Sequence, residues 1–244
     1  PSPVAASPVG PTEPFGRVER SDTAPGDQAA VRVPAQATAP AEITYERVPV
    51  DRAPHREWST PYQVCRITVD SPHELHTPEA RRELRSALTR IVAVEGPVHE
   101  DLLVQRAREA WGVARAGNRI RDNVLTAAQE LVRSRSLACD DGFYRAAGHT
   151  PATARTPQAG ETVRKVTLIA PAERRLALTE LAAECPGMSQ DELIRQACEF
   201  FGWRRTGADI RTALQSDITE LYRQGLFQGG PDRISAVRGD TPSG

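Results

Sequence analysis

The sequence has very little lysine, methionine and aromatic content. One lysine, Lys165, stands among 31 lysine and arginine residues, the chain has one methionine, and 5% of its residues are aromatic. A phosphate-binding loop of the GxxxxGK[ST] type needs a lysine directly after glycine, whereas Lys165 follows Arg164. We therefore expect no nucleotide-binding loop of this type and no ATP hydrolysis.

The four cysteines form no CxxC pair and no spacing typical of a disulfide framework. This pattern favours a reduced, cytoplasmic protein. No apolar run approaches the roughly 20 residues that a membrane-spanning helix needs, so no membrane partner is expected. The sequence also has no zinc-like ligand spacing and no defensible catalytic triad. We therefore expect no metal, cofactor, small-molecule ligand or catalytic residue, and predict that this segment is not an enzyme.

What the chain does contain is an internal repeat with a period of 90 residues. The shift takes Asp101 to Asp191 and Gly112 to Gly202 without any gap. A self-match of this length indicates one folded unit that is used twice. Further matched pairs are Leu103/Leu193, Ala107/Ala197, Glu109/Glu199, Arg115/Arg205, Gly117/Gly207, Ile120/Ile210, Arg121/Arg211, Glu130/Glu220 and Leu131/Leu221.

The repeat predicts the domain organisation. Residues 1–57 are rich in proline and alanine and have too little apolar surface to fold, which predicts a disordered tether. The predicted units are domain 1 over 58–149, a linker over 150–162, domain 2 over 163–238 and a disordered tail over 239–244. The sequence starts without methionine or a signal peptide, so we expect it to be the C-terminal part of a larger protein.

Each unit is predicted to have a strand, three helices and a hairpin. Short apolar runs predict a strand in the stretch 58–69, with Tyr62, Val64, Cys65, Ile67 and Val69 as its apolar residues, and a second strand over 163–169. Helix starts are indicated at Thr77-Pro78, His99, Asn118, Pro171 and Ser189. Asp140-Asp141-Gly142 predicts the first hairpin turn, and Gly229-Gly230 the second. The predicted fold class is mainly α with small β wings (α+β): two tandem winged-helix-like domains after the tether.

The helix-turn-helix-like segment is the candidate functional feature of each unit. Such a pair lays its second helix in the major groove of DNA, and arginine and asparagine reach phosphates and base edges. The candidate DNA-binding residues are Arg115, Asn118, Arg119, Arg121, Arg133 and Arg135 in the first unit and Arg204, Arg205 and Arg211 in the second. Asn123, Thr212 and Gln215, on the same helices, are further candidates for contacts with DNA.

Two alternatives stand beside this interpretation. The net charge of the whole chain is −1, so DNA binding requires the arginines to cluster in space. The same side chains also fit a solvated helix face. His99 is predicted to cap the second helix, with a catalytic histidine as the alternative. Trp111 and Phe201 are predicted to fill the core beside the turns, and Phe143-Tyr144 either closes the core or touches a partner.

Over residues 60–147 the chain resembles a known family. The resemblance is carried by Pro61-Tyr62, by residues 91–99, by the turn over 112–117 and by Gly142-Phe143-Tyr144; its motif residues are Glu95, Gly96, Pro97, His99, Gly112 and Gly117. These are similar to an uncharacterised winged-helix-like C-terminal domain of large bacterial proteins with superfamily-1 helicase and endonuclease-like modules.

The resemblance implies a parent protein that acts on DNA in repair or in defence against foreign DNA. The expected partners are then DNA and the upstream helicase and nuclease domains of the same chain. Our hypothesis is a non-catalytic DNA-binding or DNA-positioning module. The alternative is a protein-protein interaction or autoregulatory module of the same parent.

Overall fold

The computed structural model describes residues 56–115, 117–150 and 152–237. All of them belong to one compact unit. Apart from residues 56 and 57, the predicted tether lies outside the described residues, and so does the predicted tail. Within the described ranges the fold has six α-helices and three small β-sheets. This confirms the α+β class.

Three helices form the first half of the fold. They are α1 (Arg81–Glu95), α2 (Glu100–Ala110) and α3 (Asn118–Arg133). A short 3₁₀ turn, Pro78–Ala80, leads into α1 at the predicted helix start. Apolar residues at helical spacing bury one side of each helix, so that Leu84, Leu103 and Val124 lie in one hydrophobic cluster.

Three further helices form the second half. They are α4 (Pro171–Glu184), α5 (Gln190–Phe200) and α6 (Ala208–Arg223). Each begins 90 residues after its counterpart in the first half. A second hydrophobic cluster, with Leu178, Leu193 and Leu214 among its members, holds them together. The period found in the sequence is therefore also the period of the helix starts.

Short strands complete the fold. β2 (Val98–His99), β3 (Leu137–Asp140) and β4 (Phe143–Ala146) form an antiparallel sheet in the order β2-β4-β3. The β3–β4 turn places Asp141 and Gly142 at positive φ, as a tight hairpin turn requires. The second hairpin pairs β6 (Phe227–Gln228) with β7 (Ser235–Ala236). Both predicted hairpins are confirmed.

The predicted strand over 163–169 is wrong, and in the stretch 58–69, where the other strand was predicted, only Ser59–Pro61 forms a strand. Residues 62–69 have no regular structure, and the segment 163–169 contains a 3₁₀ turn at Val166–Leu168. In each segment a side chain takes one hydrogen bond that a neighbouring strand would take. The N–H of Cys65 donates to the carboxylate of Glu95 at 2.8 Å, and the carbonyl of Arg164 accepts from the indole of Trp203 at 2.8 Å.

A parallel pair of strands joins the two halves instead. β1 (Ser59–Pro61) pairs with β5 (Ala154–Thr156), which lies inside the predicted linker. The sequence has no apolar alternation at either strand, so this pairing was not predicted. The domain boundaries themselves stay a prediction.

Next to this sheet lies a buried ionic cluster, formed by Tyr62, Glu95, Arg106, Arg155, Arg164 and Glu173. Glu173 is fully buried and accepts hydrogen bonds from the guanidiniums of Arg155 and Arg164, at 2.6 and 2.7 Å. Arg155 also donates to the backbone carbonyls of Glu95 and Pro97, at 2.6 and 3.0 Å. One arginine thus ties the end of α1 to the beginning of α4.

At the other end of the buried ionic cluster lies Glu95, which is also fully buried and accepts hydrogen bonds from its neighbours. The Tyr62 hydroxyl donates to this carboxylate, and Arg106 Nε donates to it at 2.7 Å. Burial, together with the charge of Glu95, raises the pKa of the Tyr62 hydroxyl. Arg164 lies over the Tyr62 ring, 4.0 Å from its centroid, so the tyrosine links the two carboxylate sites.

Candidate nucleic-acid interface

Each helix-turn-helix-like segment is built on a glycine in the left-handed region. Gly112, with φ of 65°, follows α2, and Gly202, with φ of 75°, follows α5. The N–H of Val113 donates to the Arg108 carbonyl and the N–H of Trp203 to the Cys198 carbonyl, at 3.0 and 2.8 Å. This is the usual helix end with glycine just beyond the last turn. The predicted turn positions are therefore confirmed.

The start of the first helix in each pair is capped by a side chain. The N–H of Asp101 donates to Nδ1 of His99 at 3.2 Å, and the N–H of Glu192 donates to Oγ of Ser189 at the same distance. The predicted capping role of His99 is confirmed. Its ring also meets the edge of Phe143, with the ring centroids 5.0 Å apart, so its surroundings are those of a structural side chain.

The aromatic residues near the turns are mainly core residues. Phe201 is 2% exposed, and Trp111 packs against the first hydrophobic cluster while its indole donates to the His73 carbonyl at 3.3 Å. Phe143 and Tyr144 are both buried, which decides that this pair closes the core. Burial raises the pKa of Tyr144 to about 12.

Several candidate DNA-binding residues are exposed around the two turns. Arg115, Asn118 and Arg119 lie at the first turn and the start of α3, and Arg204 and Arg205 lie at the second turn. Within the described ranges, no ion pair joins Arg115, Arg119, Arg204 or Arg205 to a carboxylate. Their positive charges are open to solvent.

Arg133 and Arg135 are exposed as well, at the other end of α3. Arg135 has a φ of 59° and stands in the turn that leads into β3. α3 is 16 residues long, which corresponds to roughly 24 Å. The structure therefore separates these two arginines from those at the turn by the length of the helix.

Arg121 and Arg211 have a different role, since each is paired with a carboxylate. Arg121 donates to Asp101 at 2.6 Å and also to Glu100, while Arg211 donates to Asp191 at 2.6 Å. The hydrogen bond to Asp101 raises the pKa of Arg121. The pairs are equivalent in the two halves and connect the second helix of each half to the third. These two arginines are exposed in part, but carboxylates balance their charge.

Asn123 cannot contact DNA, so its inclusion among the candidates is wrong. It is buried, and its amide donates to the carbonyls of Leu75 and Thr77 at 2.8 and 2.9 Å. Its oxygen accepts from Arg81 at 3.2 Å. Helical spacing places Asn123 on the buried face of α3. Its polar side chain is nevertheless typical of an exposed position, which is why the sequence suggested a DNA contact. Thr212 is exposed and Gln215 is half-buried.

Two residues outside the predicted set, Lys165 and Trp203, line a groove at the second turn. Lys165 and Trp203 border it together with Arg204 and Arg205, and its volume is about 460 Å³. A signal was present, because Trp203-Arg204-Arg205 follows the turn glycine directly. Lys165 could not be placed beside it from the sequence, since 38 residues separate the two segments.

A larger cleft of about 620 Å³ lies between α2 and residues 161–168. Acidic and basic side chains neutralise each other along its walls: Arg66 pairs with Glu161, and Arg106 pairs with Glu109 at 3.0 Å. In the part of the chain that the structure describes, no group of three or more His, Cys, Asp or Glu side chains is placed to hold a metal ion. No helix among those residues combines the length and apolarity needed to cross a membrane.

Comparison with known proteins gives one match. Residues 73–122 match a family model described as "Protein of unknown function (DUF3320)". The matched segment includes α1, α2, the first turn and the beginning of α3, and thus most of the motif on which the family resemblance rests. No curated protein and no solved structure matches the chain. Over these residues the chain is therefore similar to a domain of unknown function.

Proposed function

We propose that the chain is a non-catalytic DNA-binding or DNA-positioning module made of two tandem winged-helix-like domains. One observation carries the proposal: both turns expose arginines that have no carboxylate partner among the described residues. Arg115 and Arg205 are equivalent under the 90-residue shift, so the same feature occurs twice. A polyanion is the ligand that such a surface fits.

The start of the third helix in each half adds to this surface. α3 and α6 begin after Gly117 and Gly207, neither of which has a side chain that caps the helix. The free N–H groups of a helix start carry partial positive charge and favour a phosphate. Arg115 and Arg119 stand on either side of the α3 start, so phosphate contacts there would orient the helix on DNA.

The tandem arrangement is supported by contacts that repeat with the helices. Besides the Arg121–Asp101 and Arg211–Asp191 pairs, Arg85 lies 3.5 Å from Glu130, and the equivalent Arg175 lies 3.9 Å from Glu220. A short hairpin follows the third helix in both halves. Three helices and a hairpin with the same internal ion pairs fit a duplicated winged helix.

The family resemblance supplies the expected setting. A cytoplasmic parent with helicase and nuclease domains would perform the catalysis, and this module would hold or position its DNA. This part of the proposal depends on the resemblance alone. It is tested by co-purification of the chain with the upstream domains of its parent.

DNA binding is tested by fluorescence anisotropy with duplex, forked and single-stranded DNA at several salt concentrations. We expect affinity to fall as salt rises, because binding releases counterions from phosphate. In the variant Arg115→Gln/Arg119→Gln, we expect the slope of log K against log salt for duplex DNA to shrink by about 0.9 for each lost phosphate contact.

The matched control is Arg195→Gln/Arg223→Gln. It removes the same charge from exposed arginines that already pair with Glu192 and Glu220, so we expect the slope to remain that of the original chain. Absence of salt-dependent binding to all three DNA forms would falsify the DNA-binding proposal.

A protein-interaction or autoregulatory module is the second candidate. The observation that favours it is the exposure of apolar side chains in both halves, with Val94 45% and Leu226 39% exposed. A docked protein surface would cover them. Sedimentation of the chain alone and mixed with its parent's upstream domains tests this. A monomer that does not associate with those domains would count against it.

A further inference from the structure

The groove at the second turn is lined by both apolar and basic side chains. Val163, Trp203 and Ile210 supply apolar surface, and Lys165, Arg204 and Arg205 line the same groove of about 460 Å³. All three basic side chains are exposed. One carboxylate, Asp209, also lines the groove. Its charge balance is therefore positive, which fits an anionic ligand.

Trp203 is held in a defined orientation at this groove. Its ring stacks on Phe201, with the ring centroids 4.9 Å apart and the planes at 30°. Its indole N–H donates to the Arg164 carbonyl at 2.8 Å. The side chain is only partly buried and its remaining surface lines the groove. A fixed aromatic surface loses little entropy when it binds a flat ring, and nucleic-acid bases stack on such surfaces.

The first half lacks this combination of residues. Under the 90-residue shift, Trp203 corresponds to Val113, Arg204 to Ala114 and Lys165 to Leu75. Leu75 is buried at 2% exposure, so its position faces the core in the first half. Only the arginine is common to both turns, as Arg115 and Arg205. The aromatic surface and the extra cations are thus particular to the second half.

We propose that this groove binds an unpaired segment of nucleic acid, with a base against Trp203 and its phosphates against Lys165, Arg204 and Arg205. Duplex DNA keeps its bases stacked on each other, whereas a single strand can offer a base to an aromatic side chain. The inference rests on the proposed DNA-binding function and adds the form of DNA: the second half takes the single strand.

The test uses the full chain and two fluorescein-labelled probes, an oligothymidine of about ten nucleotides and a duplex hairpin. The variants Lys165→Gln and Arg204→Ala both change exposed side chains. Arg204→Ala introduces the residue type that the first half has at the equivalent position, Ala114. For each, we expect the salt slope with oligothymidine to shrink by about 0.7. Lys165→Gln should leave binding of the hairpin unchanged, and Arg204→Ala should weaken binding of the hairpin less than binding of oligothymidine. Arg195→Gln, with the same loss of one charge outside the groove, should affect neither probe.

Tryptophan fluorescence tests the stacking contact directly. We expect oligothymidine to quench the fluorescence of the original chain, and Trp203→Phe to retain most of the affinity while most of the quenching disappears. The variant Trp203→Val, which again takes the residue of the first half, should lose affinity for oligothymidine about ten-fold. Circular dichroism of each variant establishes that the helices are retained, and Trp203→Phe serves as the test if Trp203→Val does not fold.

The outcomes separate this inference from the function on which it rests. If the chain binds both probes but the groove variants weaken them equally or not at all, the groove inference is overturned and DNA binding stands. Equal quenching in the original chain and in Trp203→Phe would overturn it as well. If no probe binds at any salt concentration, both proposals fail together.

Discussion

At the scale of single residues, equivalent positions in the two halves have different surroundings. Glu173 is fully buried between Arg155 and Arg164. Burial alone raises the pKa of its carboxyl, but the two guanidiniums lower it by more, so that the pKa lies below its ordinary value. The equivalent residue, Glu83, has a buried carboxylate oxygen, Oε2, without a hydrogen-bond partner among the described residues.

This difference predicts that loss of the charge destabilises the fold strongly at Glu173 and very little at Glu83. Glu173→Gln leaves two buried guanidiniums without a counter-ion, and we expect it to lower the free energy of unfolding by about 3–5 kcal/mol. The matched control Glu83→Gln breaks no hydrogen bond at Oε2 and should change it by less than about 1 kcal/mol. Urea denaturation measures both. Equal effects of the two substitutions would contradict the role given to Glu173.

The two turn glycines also differ in what surrounds them. Both have positive φ, but a Cβ at Gly112 would have no atom within 4 Å, whereas a Cβ at Gly202 would lie 2.7 Å from Cγ of Pro157. We expect Gly112→Ala to cost about 1–2 kcal/mol from backbone strain alone. Gly202→Ala should cost more, because the clash adds to the strain. The midpoints of thermal unfolding compare them, and an order opposite to this one would show that the turns are packed differently.

At the scale of elements, one buried pair of positions differs between the halves: it holds an ion pair between α4 and α6 and apolar side chains on α1 and α3. Arg174 Nε donates to Asp217 at 2.6 Å, and both residues are buried. Their equivalents are Leu84 and Ala127, which are fully buried in the first half. The same helix contact is therefore made in two chemically different ways.

The apolar pair of the first half can be introduced into the second half by mutation of Arg174 and Asp217. Arg174→Leu alone leaves Asp217 buried without a partner and should cost about 3–5 kcal/mol. Arg174→Leu/Asp217→Ala copies the first half and should recover most of that loss. Recovery will be incomplete, because Arg174 also donates to the Ile169 carbonyl at 2.6 Å. Urea denaturation provides the comparison, and a double variant no more stable than the single one would contradict it.

At the scale of the whole molecule, ionic contacts make stability depend on pH in the acid range. The pKa of Glu192 falls from 4.5 to about 2 beside Arg195, and that of Glu220 falls to about 2 beside Arg223. The pKa of Glu173 is also lowered. Groups of this kind stabilise the fold above their ordinary pKa and lose that contribution as the pH falls toward 2.

Asp217 acts in the opposite direction. Burial raises its pKa above 3.8, and the hydrogen bond from Arg174 offsets only part of that effect. The contribution of Asp217 to the free energy of unfolding is greatest below its ordinary pKa, and it is lost as the pH rises through the raised pKa of the folded state. The pKa is also lowered for Glu79 and Glu109, so five carboxyls with a lowered pKa stand against one with a raised pKa, and the lowered group should dominate.

We therefore expect the free energy of unfolding to decrease between about pH 5 and pH 2. Glu173→Gln removes the one buried member of the lowered group, so its decrease over the same range should be smaller than that of the original chain. Unfolding in urea at a series of pH values measures both curves. Parallel curves would mean that Glu173 does not contribute to the acid sensitivity.

The sequence by itself determined the 90-residue period, and local signals in it determined the helices, the turn glycines and both hairpins. Pro171, Ser189, Gly112 and Asp141-Gly142 act through the backbone of their own few residues, so their effects do not depend on the rest of the chain. The capping role of His99 belongs to the same class, since its partner is two residues away.

Only the tertiary structure decided how the two halves meet and which charged residues stay exposed. β1 and β5 pair across 95 residues. Arg155 is buried because the Glu95 carbonyl, 60 residues away, accepts one of its hydrogen bonds, and Arg164 is buried because Glu173 accepts another. An arginine has the same appearance in the sequence whether it is buried in an ion pair, as Arg164 is, or open to solvent, as Arg205 is. What separates them is the set of atoms that folding brings within reach.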